Sequence, residues 1–155
     1  MPTPISERVM AAVAAQLATI TTGNGYSVTA NVLRAVRTVD QRQCPAVVLW
    51  DAGESVTDST KKRLGVSLTV EVCVFVLGDQ VTTGTQLEFI KADVKQALLS
   101  WAQDGVRDAD GQIGKLFYKA ATLQPREPGD QTESVSITFE AVYAEGNGDP
   151  YSNAA

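Results

Sequence analysis

The chain has 155 residues, 13 of them basic and 18 acidic, for a formal net charge of -5. That acidic balance disfavours sequence-independent binding to a polyanion such as DNA or an anionic membrane surface, while ordinary apolar and charged fractions exclude wholesale disorder. The absence of histidine removes the commonest general base, every serine-histidine-acid triad and most transition-metal sites.

The length suits one domain with one core, expected over residues 1–145, followed by a small, polar and mobile tail over 146–155. Thr3 as N-cap with Pro4 at the first helical position starts a helix predicted to run from Pro4 to Ile20. Its apolar face is Ile5, Val9, Ala12, Val13, Leu17 and Ile20. Val9–Ile20 follows Arg8 and ends in small residues, as a signal peptide does. Glu7 cancels Arg8, however, and Gln16 and Thr19 interrupt the apolar run, so an amphipathic cytosolic helix is expected. No apolar stretch approaches the roughly 20 residues of a membrane span.

Thr22-Gly23-Asn24-Gly25 reads as a helix terminator rather than a phosphate cradle, because it follows a helix instead of linking a strand to one. Tyr26 beside it is expected to anchor the loop on the core. Val32–Val39 and Ala46–Asp51 read as strands, with Pro45 marking the start of the second. Ala52–Lys62 is polar and turn-rich, and reads as a long connection of the kind that often carries function.

Arg63–Leu77 holds the strongest pattern. Leu64, Val66, Leu68, Val70, Val72, Val74 and Val76 form an unbroken apolar row at the strand period. The opposite face changes from Arg63, Gly65, Ser67, Thr69 and Glu71 to Cys73, Phe75 and Leu77. At roughly 3.3 Å per residue the run reaches about 45 Å, well past a typical strand of about 5–6 residues. The Cys73, Phe75 and Leu77 end is expected beneath a helix. Ser67, Thr69 and Glu71 are expected at a polar subunit seam or a bore lining, with the change falling near Glu71.

Gly78-Asp79-Gln80 breaks this pattern, and Thr85-Gln86-Leu87-Glu88 is a capping-box sequence for a second helix running to about Gln103. Its stripe is Leu87, Ile90, Val94, Ala97, Leu98 and Trp101, with Lys91, Asp93, Lys95 and Gln96 on the outer face. Asp108–Gly111 reads as a turn, and Lys115–Leu123 and Thr132–Glu145 as strands joined by the proline-bearing connection Gln124–Asp130. The expected fold is therefore α+β, a mainly antiparallel sheet of four to five strands in the order α-β-β-β-α-β-β, both helices on one face.

Candidate chemistry is sparse. Asp51 and Glu54 are a possible carboxylate pair, read as solvated turn acids; Asp108 and Asp110 lack the glycine and distant glutamate of a calcium loop. Cys44 and Cys73 have neither metal-site spacing nor the density of a secreted disulfide scaffold, and are expected reduced. Trp50 and Trp101 are read as core or interface residues. No catalytic residue, metal site or cofactor is assigned.

The helix closed by ITTGNGYSV, then PAVVLWDAGES, the long strand, EFIKADVKQALL, GKLFYKAATLQPREPGD and ITFEAVYAEGNGDPYS together resemble the tail terminator (tail completion) proteins of long-tailed bacteriophages. The resemblance covers about residues 3–151 and rests on element order and texture. It implies a non-enzymatic virion protein forming a ring, usually a hexamer. That ring caps the tail tube, stops its polymerisation and docks the head connector. Its partners would be copies of itself, the tail tube protein and the head–tail connector protein, within a virion tail assembled in the host cytoplasm. DNA would pass through the bore without specific binding, and no membrane is involved.

A heterologous contact between identical subunits closes into a ring or grows into a filament, and a long strand supplies a directional surface for it. Asp51, Glu54, Asp58, Lys61, Lys62 and Arg63 are candidate axial contacts, and Ser67, Thr69 and Glu71 candidate seam residues. A head–tail neck ring shares this logic. An alternative of another class is a ligand-binding or enzymatic α+β domain using Asp51, Glu54 or Cys44, which requires those groups to converge in a pocket.

Overall fold

The structure, a computed structural model, describes residues 1–78, 83–124 and 131–154. The chain runs α1 (Ile5–Leu17), β1 (Asn31–Arg34), β2 (Ala46–Ser59), β3 (Arg63–Leu77), α2 (Thr83–Trp101), β4 (Val106–Asp108), β5 (Gly111–Gln124), β6 (Thr132–Gly146) and β7 (Asp149–Asn153). The sheet order is β1-β2-β3-β6-β5-β4, with β7 also paired to β6. The α+β class holds, but among the described residues seven strands stand where four to five are expected, and β1 lies parallel to β2.

The centre of the sheet is the β3–β6 ladder, in register from Arg63 opposite Gly146 to Leu77 opposite Thr132. Opposed residues share a face, so the valine row of β3 meets Val135, Ile137, Phe139, Ala141 and Tyr143 of β6. Both helices lie on that face. Ile5, Val9, Met10, Val13 and Leu17 of α1 and Leu87, Ile90, Val94, Ala97 and Leu98 of α2 join the strand residues in one buried cluster. Met10 replaces the expected Ala12 in the fully buried stripe, while Trp101 is half-buried against the same cluster.

Several expectations are corrected. Burial in β3 alternates evenly, with residues 66, 68, 70, 72, 74 and 76 buried and Ser67 to Phe75 half-buried, so nothing changes at Glu71. Among the described residues no helix covers Cys73, Phe75 and Leu77; the helices occupy the other face, Leu77 is exposed, and Cys73 and Phe75 lie between neighbouring strands. Ala52–Lys62 is not a loop: β2 continues to Ser59, and only Thr60, Lys61 and Lys62 turn the chain. Two irregularities in register, between Asp51 and Glu54 and between Val56 and Asp58, mark β-bulges that break the alternation the sequence pattern depends on. Gly53, at φ +117°, occupies the first.

β1 stops at Arg34 rather than Val39, because Ala35 at φ +54° turns the backbone out of the strand. Helix α1 begins at Ile5 with no side-chain cap, so Thr3 does not act as one. Helix α2 begins at Thr83, which places Thr85 inside its first turn rather than at the cap. Gly25 at φ +89° closes a short 3-10 turn, Thr22–Asn24, that follows the end of α1. Asp93 is not outward-facing: it is 8% exposed and accepts hydrogen bonds from the Ser27 amide (3.0 Å) and hydroxyl, pinning the loop after α1 to α2. Tyr26 packs against the core from the same loop.

The polar segment after Gly146 is paired rather than structureless. β3 occupies one edge of β6 to its end and β5 occupies the other only as far as Val142, so β7 takes over that second edge at Glu145 and Gly146. The Ala154 amide donates to the Ala144 carbonyl at 3.2 Å. The expected break at Asp79-Gln80 and the connection over 125–130 lie outside the described residues.

Phe139 is the largest fully buried side chain, and its ring meets Tyr118 edge-on at 5.9 Å. Phe139→Ala is expected to cost about 3–5 kcal/mol, read as a fall in the denaturation midpoint at unchanged slope.

Candidate assembly surface

Two surfaces gather the residues singled out from the sequence. The first is the arm formed by the outer halves of β2 and β3. β1 flanks β2 only from Ala46 to Leu49. From Trp50 to Ser59 the outer edge of β2 has no strand partner among the described residues, and every residue from Asp51 onward is exposed. Lys61 and Lys62 stand exposed at the tip.

The arm is fixed by its own hydrogen bonds. The Thr60 hydroxyl accepts from the Lys62 and Arg63 amides at 3.3 and 3.0 Å. Asn147 braces the same turn, its side chain donating to the Thr60 carbonyl at 2.7 Å and its amide to the Lys62 carbonyl at 3.1 Å. Arg63 pairs with Asp58 at 2.5 Å, both well exposed, so the pair orients the arm more than it stabilises it. Asp51 accepts from the Gly53 amide at 3.0 Å, bracing the first bulge. Glu54 accepts from the Tyr143 hydroxyl at 3.1 Å. Burial first, then the Glu54 charge, pushes that phenol well above its ordinary range.

The second surface is the face of the sheet opposite the helices. Ser67 donates to Glu140 at 2.8 Å, and Lys119 pairs with the other carboxylate oxygen at 2.7 Å. Those two contacts, Lys119 first, hold the Glu140 carboxyl below the usual range. Glu71 accepts from Ser136 at 2.6 Å and from the Cys73 thiol at 3.4 Å. Thr69, half-buried, lies between the two networks, opposite Glu140. Ser67 and Glu71 are thus fastened to β6 within the subunit, while Asp51 and Glu54 keep separate partners.

At the arm end the same face dips into a cavity of about 420 Å³, lined by Asp58, Arg63, Gly65, Gly114, Lys115 and Ala144 among others. The glycines leave its floor without side chains.

Asp51, Glu54 and Cys44 do not converge. Cys44 lines a cavity of about 190 Å³ with Val28, Pro45, Val76, Leu77, Gln86 and Ile90, and neither Asp51 nor Glu54 reaches it. Burial raises the Cys44 thiol, with Asp40 adding to the shift, and burial with Glu71 pushes Cys73 up to about 11. Both shifts run against thiolate formation.

Glu140, Lys119 and Asn147 are missed by sequence reasoning. Each matters through a cross-strand neighbour, and the register that supplies the neighbour is not written in the local pattern. Because the Glu140 value is lowered on folding, its stabilisation is present above about pH 5 and disappears as pH falls through the lowered value. The difference in unfolding temperature between the native chain and Glu140→Gln is therefore expected to be largest near neutral pH and to vanish in acid.

No protein-family model matches the sequence, and no curated protein does. Among solved structures, the chain is similar to one from the virion of a native gene transfer agent particle, with 18% identity, a TM-score of 0.51 and 92% of each chain covered. At that identity the likeness is one of fold, and it extends over nearly the whole of both chains.

Proposed function

We propose that this chain is a non-enzymatic structural subunit of a phage-like virion: a tail terminator that forms a ring, caps the tail tube, stops its polymerisation and presents a docking surface to the head connector. The observation that carries the reading is the arm. A long strand edge that leaves its backbone groups unpaired invites association. Here that edge is held rigid by the Thr60 and Asn147 hydrogen bonds rather than folded away.

The likeness of fold to a chain of a gene transfer agent virion supports a place in such an assembly. The raised thiols and the separation of Asp51, Glu54 and Cys44 favour a structural role over an enzymatic one built on those residues. Net negative charge suits a bore through which DNA passes without being gripped, since few phosphates would be neutralised. Subunit number, six by analogy with the tail terminators, belongs to the same proposal.

The test is light scattering and electron microscopy of the purified chain with and without the cognate tail-tube protein. Tubes of restricted length bearing a ring at one end are expected; a chain that stays monomeric and leaves tube length unaltered would sink the reading. The arm tip gives a sharper prediction. Lys61→Glu with Lys62→Glu reverses two exposed charges whose side chains hold no partner among the described residues. Docking should weaken and become less salt-sensitive, while stability changes by no more than about 0.5 kcal/mol. Loss of folding in that variant would assign the lysines a structural role instead.

A further inference from the structure

The sheet carries a second unpaired edge that matches the first. β4 flanks β5 only from Gly111 to Gly114. From Lys115 to Gln124 the outer edge of β5 has no strand partner among the described residues, and most of that stretch is exposed. The free part of β2, residues 50–59, and the free part of β5, residues 115–124, are equal in length. We infer that the subunits join edge to edge, the free part of β2 in one copy pairing antiparallel with the free part of β5 in the next. The sheet would then run unbroken around the assembly. The inference rests on the ring reading above and names its seam.

Three observations select this partner. The first is charge. The β2 stretch carries Asp51, Glu54 and Asp58 and no base, whereas the β5 stretch carries Lys115 and Lys119 and no acid. Asp58 shares with Lys115 and Lys119 the face opposite the helices, so β2 against β5 brings unlike charges together there, whereas two β5 edges would oppose lysines; Asp51 and Glu54 lie on the helix-covered face.

The second is direction. Each step from β2 to β3 to β6 to β5 is antiparallel, so β2 and β5 run oppositely within a subunit. A neighbour that continues the same sheet with the same face outward therefore brings an antiparallel edge.

The third is steric. β1 shields the start of β2 and β4 shields the start of β5. In a parallel pairing both shields would fall in the same gap and collide. In the antiparallel pairing they fall at opposite ends, outside the two free stretches.

The side chains agree with the assignment. Val56 lies opposite Val66, Tyr118 opposite Phe139 and Leu123 opposite Val135, which puts all three on the helix-covered face. Val56 and Leu123 are 61% and 58% exposed in the lone subunit. Pairing would extend the apolar face across the seam and bury groups that otherwise face water.

The contact is heterologous, so blocking one edge at a time gives a distinctive result. Val56→Lys and Leu123→Asp each place a charge in the apolar strip that the seam would bury. Both sites are exposed, so thermal unfolding should stay close to the native chain. Each variant alone is expected to be monomeric by light scattering under conditions where the native chain assembles, alone or on tail tubes. An equal mixture should form dimers through the one seam left unsubstituted. Assembly of either single variant, or a mixture that remains monomeric, overturns the edge pairing and leaves the ring reading standing. A native chain that assembles neither alone nor on tubes overturns both.

Discussion

The β3–β6 ladder is the constraint on which the rest of the molecule depends. Both strands are 15 residues long and stay in register throughout, so one face is continuously apolar from Val66 opposite Tyr143 to Val74 opposite Val135. Burying a valine or leucine side chain stabilises by roughly 1.5–3 kcal/mol, against a backbone ordering cost of about 1–2 kcal/mol per residue. A strand that buries every second residue on one face only roughly breaks even. The two helices tip the balance, because their stripes bury the same strand face while adding their own apolar surface to the cluster.

The neighbours of the ladder depart from its regularity. β2 carries two bulges against β3, and β5 carries one against β6 between Tyr118 and Ala120. Bulges strengthen the local twist and re-aim side chains. They leave both outer strands long, exposed and only partly shielded by β1 and β4. Long exposed edges of this kind are prone to association.

The polar face divides labour with those edges. Ser67, Glu71, Ser136 and Glu140 satisfy one another across β3 and β6, so the face needs no partner to meet its hydrogen-bonding demand. Proteins use such networks to hold a surface in one shape.

The sequence by itself determined the α+β class, the helix stripes, the valine row of β3 and the clean alternation of β6, because those elements bury one face at a regular period. It misplaced Ala52–Ser59, whose exposed, bulged strand obeys no period, and β7, whose pairing depends on where β5 ends. Asp51, Glu54, Asp58, Lys61, Lys62 and Arg63 were legible as an exposed charged group. That they stand along a strand edge and its turn rather than a loop was decided only by pairing with β3. The tertiary structure alone decided that Asp93 is buried, since its partner Ser27 is remote in sequence. It alone placed Glu140 beside Ser67 and Lys119, and left free stretches of equal length on β2 and β5. Period is a local property of the chain; register, shielding and edge are properties of which strands come to lie side by side.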